Sequence, residues 1–409
     1  MRRVVVTGMG IVSPVGNTID SFWENIVAGK HGIAPITSFD TTEYKAKLAG
    51  EVKNFDPKQY MEKADILRSD RYAQLGLAAA VQAVEQSGII PTVEPERIGV
   101  YFGTGIGGIQ TLVAEHNKML SRGPRKVSPY FVPMLISNMC AGMIAIRYGC
   151  KGAAMPAVTA CASGANAIGE AVRAIRHGYA DAMISGGSEA AITEISIAGF
   201  INMQALSTSE DPDAASLPFD KRRGGFVISE GGAALVLEEY EHAKARGAEI
   251  FGEICGYGST CDAYHITAPK PDAEGGTNAM IQAFKEAGYN GTEQVYVNAH
   301  GTGTPLNDCM ETLAIKKAMG EEEARKAIIS STKSMTGHLL GAAGATEAIV
   351  SLLALKTGII PPTVNLREPD PECDLNYMPL EAVKAQASLA VSNSLGFGGH
   401  NACLAFRRV

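Results

Sequence analysis

The residues able to do chemistry stand in runs of small, glycine- and threonine-rich sequence. Cys161 lies in Ala157-Val-Thr-Ala-Cys-Ala-Ser-Gly-Ala-Asn-Ala-Ile-Gly-Glu-Ala-Val172, where an apolar β-branched run gives way to small residues and then to a helical pattern. That order predicts a thiol at the junction of a strand and a helix N-terminus. The free amides and positive end of a helix favour an anion, so the thiol is expected to have a lowered pKa and more of the nucleophilic thiolate. An inert buried cysteine also fits this stretch. His300 follows an expected strand in Val297-Asn-Ala-His-Gly-Thr-Gly-Thr-Pro305. The C-terminal ends of strands are where α/β sites form. Lys333 and His338 belong to Ser330-Ser-Thr-Lys-Ser-Met-Thr-Gly-His338, ahead of a second small-residue helix. A nucleophile with bases nearby is the arrangement of covalent catalysis. The spacing of Cys161, His300 and His338 matches no zinc signature, so no metal is expected. No G-x-S-x-G is present to suggest a serine hydrolase.

The elements that must position these groups alternate between strand and helix. Arg3–Thr7 reads as a buried strand with Gly8-Met-Gly10 as its turn, and residues 17–28 as a helix. Asp70 opens an alanine-rich helix that ends at Gly88. A strand over 98–102 leads into Gly103-Thr-Gly-Ile-Gly-Gly108. That turn could cradle phosphate or let two segments pass closely, and the missing Lys-Ser/Thr favours close passage. Residues 126–143, with Pro129 and Pro133 among apolar neighbours, suggest a kinked buried segment or an interface. Further strands are expected over 181–189, 232–238, 249–258, 294–298, 327–331, 388–392 and 402–406, with the loop Pro218–Phe226 between the first two.

An internal repeat organises these elements. A shift of 177 residues lays Cys161–Val172 on His338–Ile349, matching Gly164 with Gly341, Ala165 with Ala342, Glu170 with Glu347 and Ala171 with Ala348. On this register Cys161 and His338 occupy equivalent helix starts. A strand, a glycine-rich turn and another strand follow each helix. Two similar βα halves are expected, residues 1–250 carrying the cysteine and 251–409 carrying both histidines.

Composition narrows the class. A chain of 409 residues, 46% hydrophobic and 19% charged, is too long for one ordinary core. Its net charge of −7 argues against nucleic acid as a partner. The eight cysteines form no CxxC pair, which points to a reduced, cytoplasmic setting. The N-terminus has no apolar region of signal-peptide length, and no apolar run approaches the roughly 20 residues of a membrane span.

Over essentially its whole length the chain resembles the β-ketoacyl-[acyl-carrier-protein] synthases of the thiolase-like superfamily. Thr159-Ala-Cys-Ala-Ser-Gly164 is similar to their nucleophile motif. Asn298–Pro305, Ser331–Gly344 and Asn393-Ser-Leu-Gly-Phe-Gly-Gly399 are similar to the other three, in the family's order. The set is Cys-His-His rather than the Cys-His-Asn of the initiating synthases. Ile106 and the loop Asp262–Pro269 look like the synthase II subgroup, whereas Gly224, Leu395 and His400 depart from the usual pattern.

The resemblance implies a five-layered αβαβα sandwich and a decarboxylative Claisen condensation that elongates fatty acids. It implies that Cys161 carries the acyl chain and that His300 and His338 stabilise the malonyl-derived enolate. Phe397 would be a gate, and its N–H would join that of Cys161 in holding the oxyanion. Lys333 would pair with Glu347, with Asp308 and Glu311 supporting the site. Thr302 and Thr304 would bind phosphopantetheine, and Ile106 would line the acyl pocket. The implied partners are acyl carrier protein and a second copy of the chain. No cofactor is expected beyond the carrier's phosphopantetheine. Lys63, Arg68, Arg71, Arg122, Arg125 and Lys126 are the candidate carrier-docking cations. A ketosynthase of a polyketide or other specialised pathway is the nearest alternative. A non-catalytic chain-length partner is the other, and the presence of Cys161 argues against it.

Overall fold

The computed structural model describes residues 1–378 and 380–409. Its centre is a ten-stranded sheet built from β1 (Val4–Val12), β2 (Ile98–Gly103), β3 (Ala154–Ala157), β4 (Ala182–Glu189), β5 (Gly231–Glu239), β6 (Gly252–Cys261), β7 (Val295–Asn298), β8 (Ile328–Ser330), β9 (Leu389–Gly396) and β10 (His400–Arg407). The strand order is β8-β7-β9-β10-β6-β1-β5-β4-β2-β3. Read outward from the middle, β1-β5-β4-β2-β3 on one side mirrors β6-β10-β9-β7-β8 on the other. The two arrays meet where β1 and β6 pair antiparallel, Val5 with Glu253 and Val6 with Gly252.

Helices complete the layers. We label α1 Arg71–Ser87, α2 Ile109–Arg122, α3 Ser163–Arg176, α4 Glu274–Ala287, α5 Pro305–Met319 and α6 Ala343–Thr357. Helix α1 covers the outer face of β1, β5 and β4, while α4 covers β6 and β10. Between the arrays lie α3 and α6, packed on each other and touching strands of both. This is the five-layered αβαβα sandwich that the sequence resemblance implies. The position of α6 explains its composition. A helix between two sheets has no solvent face, so it is apolar all round. Leu340–Thr357 is long and apolar enough to cross a membrane, which corrects the expectation that no such run exists, yet 89% of it is buried inside the protein.

Local sequence accounts for most boundaries. Asp70 caps α1 by accepting from the Tyr72 N–H, and Gly88 ends it in the left-handed conformation. The expected turn at Gly8–Gly10 is absent, because β1 runs on through both glycines to Val12. They serve close packing instead. A Cβ would lie 2.1 Å from the Ala83 carbonyl oxygen at Gly8 and 2.0 Å from that of Ala79 at Gly10, so α1 can approach only a bare backbone. Residues 126–143 form broken helical turns, buried at Cys140 and Ala141 but with Val132 58% exposed, so only the end of the segment is buried.

The structure also changes the register of the repeat. Each central helix begins with a 3₁₀ turn, Ala160–Ala162 before α3 and Leu340–Ala342 before α6. The first residue of each turn has positive φ, 49° at Ala160 and 48° at Leu340. The structural offset is therefore 180 residues, not 177. A Cβ on Gly164 would meet the Ala345 amide, and one on Gly344 would meet that of Ala165, which is the same contact seen from either half. Cys161 corresponds to Gly341, and His338 lies three residues ahead of that place. Short apolar repeats align almost equally well at several small shifts, whereas backbone conformation allows one.

Candidate active site

Cys161 occupies the middle of the 3₁₀ turn between β3 and α3. Ser163 Oγ holds this turn, accepting from the Thr159 N–H at 2.9 Å and donating to the Ala160 carbonyl at 2.7 Å. The end of β9 crosses over the turn at Gly396, where a Cβ would lie 2.8 Å from the Thr159 carbonyl oxygen. That close crossing turns the Phe397 N–H toward the Cys161 sulfur, beside the cysteine's own N–H. The expected lowered pKa is not found. Burial pushes the Cys161 thiol up to about 12, against the pull of Lys333 and the two backbone N–H groups. A helix end exposed to water would have lowered it, but here the thiol is desolvated at the bottom of a cavity.

The histidines reach the same cavity from the other array. His300 follows β7, and two buried carboxylates shape its loop. Glu311 accepts from the His300 and Gly301 N–H groups, each at 2.7 Å. Asp308 accepts from Thr302 at 3.1 Å and from Phe219 at 2.8 Å. Both carboxylates stand on α5. Burial pushes Glu311 up to about 7 and also raises Asp308, against the N–H groups they receive.

His338 is fixed by residues far away in sequence. Its backbone bridges the segment 227–229, its N–H donating to the Val227 carbonyl at 2.7 Å and its own carbonyl accepting from Ser229 at 2.9 Å. The Leu340 N–H donates to His338 Nδ1 at 3.3 Å, so in the neutral ring the proton sits on Nε2. Phe226 packs edge-on against this imidazole at 5.1 Å.

The two imidazoles stand edge to face, 5.2 Å apart. Cys161 Sγ and a nitrogen of each ring lie within 4.8 Å of one another. Desolvation holds both histidines well below their ordinary pKa, and the Lys333 charge adds to it, so both rings are neutral near pH 7. Lys333 is 1% exposed and donates to Glu347 on α6. Burial raises the Glu347 carboxyl to about 7, although Lys333 pulls it down. The Cys-His-His trio could ligate a metal by distance alone. The ammonium that depresses both histidines opposes a cation at that place, while leaving two neutral imidazoles and a thiol facing one cavity.

That cavity has a volume of about 370 Å³. Thr302 and Thr304 line its wall with their hydroxyls 2.9 Å apart, and Phe397 and Leu395 line it from the β9 side. Sequence reasoning missed Phe226, which carries no chemical signature within its loop. It also missed Glu189, a fully buried carboxylate at the end of β4. Glu189 accepts from the Thr104 hydroxyl and from the N–H groups of Gly105, Ile106, Gly107 and Gly341. An acidic residue closing an otherwise apolar strand was the available signal. The Gly103–Gly108 turn thus cradles an internal carboxylate.

Two expected residues lie away from this cavity or are already paired. Ile106 lies on the loop that Glu189 holds, exposed at the surface of the single chain and outside the lining of this cavity. Arg71 is not a free cation, since it forms a two-point pair with the buried Glu230. The remaining candidate cations are exposed at the surface, Arg68 stacking over Tyr130 and Arg122, Arg125 and Lys126 grouping at the end of α2.

Comparison with known proteins places this geometry among relatives. The family profile for the beta-ketoacyl synthase N-terminal domain matches residues 1–243, and that for the C-terminal domain matches residues 251–367. The chain is 49% identical over 409 residues to a 3-oxoacyl-[acyl-carrier-protein] synthase 2 of Synechocystis sp. (strain ATCC 27184 / PCC 6803 / Kazusa), covering 100% of this chain and 98% of the relative. Among solved structures, a beta-ketoacyl synthase from Burkholderia phymatum STM815 superposes with a TM-score of 0.93 at 35% identity, with 100% of both chains covered. AntDE:AntF, a type II PKS acyl-carrier protein in complex with its ketosynthase, superposes with a TM-score of 0.91 at 34% identity, covering 100% of this chain and 99% of that one.

Proposed function

The chain belongs to the β-ketoacyl synthase family, and from that premise we propose the following reaction: it joins an enzyme-bound acyl group to malonyl-[acyl-carrier-protein] by decarboxylative Claisen condensation, elongating fatty acids as 3-oxoacyl-[acyl-carrier-protein] synthases do. The observation that carries this reading is the meeting of the Cys161 thiol with two neutral imidazoles within 4.8 Å. Identity favours fatty-acid elongation over a polyketide pathway, at 49% to the fatty-acid relative against 34% to the polyketide ketosynthase.

Cys161 sulfur attacks the acyl thioester, and its proton goes to the departing carrier thiol. Burial keeps the resting group a thiol, so proton loss accompanies attack. Malonyl thioester then loses CO2, and the N–H groups of His300 and His338 face the developing enolate oxygen. Donors set in place before charge develops supply about 3–4 kcal/mol each in comparable sites. The enolate carbon attacks the acyl carbonyl, and the N–H groups of Cys161 and Phe397 receive the oxyanion. Its collapse breaks the bond to Cys161 and leaves a 3-oxoacyl chain on the carrier. Burial and the Lys333 charge keep the rings neutral, and Glu347 pairs with that lysine. Thr302 and Thr304 line the wall where the pantetheine arm would lie. No cofactor beyond that arm enters the reaction.

The chain divides near residue 250 into halves that each supply part of this machinery. A homodimer fits the unpaired edge strand β3, with Met155 47% exposed, and the exposed Ile106, Ile136 and Val158 beside it. A cytoplasmic setting agrees with eight free cysteines. Lys63, Arg68, Arg122, Arg125 and Lys126 are the cations left to meet an acidic carrier.

Mass spectrometry after treatment with a thiol-directed epoxide inhibitor tests the assignment. The label is expected on Cys161, and Cys161→Gln is expected to abolish condensation while malonyl decarboxylation persists. Condensation at the native rate in that variant would refute the reading. A panel of acyl-carrier substrates of differing chain length tests the pathway.

A further inference from the structure

A second pair of thiols lies outside the condensing site. Cys309 stands in the first turns of α5, and Cys373 in the irregular segment that follows Asp370. Their sulfur atoms are 4.0 Å apart, the one pair of thiols in contact among the described residues. Cys373 is buried, while Cys309 is partly exposed. Arg223 donates to Cys309 Sγ at 3.0 Å and to Asp370 at 2.6 Å. Glu372 accepts from Cys309 at 3.4 Å. The condensation uses neither sulfur.

We propose that Cys309 and Cys373 are a reversible dithiol that closes to an intramolecular disulfide on exchange with a low-molecular-weight disulfide. Cys309 is the attacking sulfur, because it is the one of the two that reaches solvent; burial and the Glu372 carboxylate raise its thiol against the pull of the Arg223 guanidinium 3.0 Å away, so exchange quickens as pH rises. Its attack breaks the S–S bond of the small disulfide, releases one small thiolate and leaves a mixed disulfide on Cys309. Cys373 then gives its proton to solvent and its sulfur displaces the second small thiol. In sum, two protein thiols and one small disulfide become one internal disulfide and two small thiols. Closure needs the sulfurs to approach by about 2 Å, to the ~2.05 Å of an S–S bond. The segment around Cys373 is neither helix nor strand, so the approach would fall on side-chain rotation and a shift of that segment.

A zinc ion is the rival occupant, since Asp370 stands with the two sulfurs within 4.8 Å. The guanidinium already placed on Asp370 and Cys309 opposes a cation there. The position of the pair gives the disulfide a route to the active site. Cys309 follows Asp308, whose carboxylate holds the Thr302 and Gly303 amides. Arg223 ties the same place to the cavity wall through the Thr304 carbonyl at 3.3 Å and the Pro305 carbonyl at 3.0 Å. Closing the disulfide draws the start of α5 toward the 370–373 segment and shifts the threonine wall. This coupling rests on the condensing-enzyme reading, whereas formation of the disulfide does not.

The test incubates the reduced native protein with oxidised glutathione and maps its peptides without reduction. A cross-linked peptide pair containing Cys309 and Cys373, two hydrogens lighter than the sum of the two, is expected, and dithiothreitol is expected to reverse it. Glutathione retained on Cys309 with Cys373 free would overturn the proposal, as would two unmodified thiols. Zinc held by the reduced protein and lost in Cys309→Ser would overturn it in favour of a metal site. Cys309→Ser should keep the basal condensation rate and lose the cross-link, and Cys373→Ala provides the same test from the other side. The KM for the acyl-carrier substrate should rise on oxidation of the native protein and stay unchanged in Cys309→Ser. An unchanged KM in both would remove the coupling, and the peptide map decides the disulfide even in a preparation without condensing activity.

Discussion

The starts of the two central helices have one backbone and opposite chemistry. Ala160-Cys161-Ala162 and Leu340-Gly341-Ala342 are both 3₁₀ turns with a left-handed first residue, and each leads into a helix of the middle layer. One presents a thiol to a cavity. The other is sealed, since a Cβ on Gly341 would lie 2.4 Å from the Gly105 amide nitrogen. The second array therefore cannot carry a nucleophile at the equivalent point. Its reactive groups lie in the loops before the helix and after β7. The glycine-rich loops after β2 and β7 show the same divergence. Buried carboxylates hold both, Glu189 in the first and Glu311 with Asp308 in the second, yet only the second loop carries a reactive side chain. A duplicated frame can keep its clamps in both copies while dividing the chemistry between them.

Changes on the reactive side test this division most strongly. His338→Ala and His300→Ala should each lower kcat for malonyl decarboxylation by about 100- to 1000-fold, the effect of deleting one preorganised donor. Native decarboxylation in either variant would remove that ring from the enolate role. The clamps come next. Glu189→Ala strands four amides and a hydroxyl and should cost about 3 kcal/mol or more in denaturant unfolding. Glu311→Ala should destabilise to a similar degree and also lower kcat, because its loop carries His300. Equal loss of kcat in the two variants would break the distinction between a structural and a functional loop.

Smaller effects sharpen the contrast between the helix starts. Gly341→Ala should destabilise by about 1–3 kcal/mol, the usual range for overpacking, read as a lowered Tm. A Tm equal to that of the native protein would mean that the seal is loose. The pH dependence of Cys161 alkylation by iodoacetamide separates burial from the helix end. A thiol raised from its ordinary value to about 12 gains thiolate only as pH rises, so the rate should still be climbing at pH 9. A plateau below pH 8 would restore the lowered pKa that the sequence suggests.

Much of this is legible in local runs of residues. The runs around Cys161, His300 and His338 are local patterns: the first joins a strand to a small-residue helix, the second follows a strand, and the third precedes a small-residue helix. Most of the strands were legible in the same way, although the first runs on through its expected turn. Other features depended on atoms brought together from afar. The 180-residue register needed the two positive φ values, because alanine and glycine runs do not choose between near shifts. The state of Cys161 needed its burial, since a helix start acts on a thiol through water or through protein with opposite outcomes. Glu189 joins β4 to the loop after β2 and to Gly341, and the segment 227–229 grips His338, so neither role is visible in any window of sequence. Arg71 failed as a free cation because pairing with Glu230 is a property of the folded chain. The sequence settled which groups could react and on which kinds of element they sit. Packing decided which of them share one cavity, because desolvation and contact between distant segments exist only once the layers close.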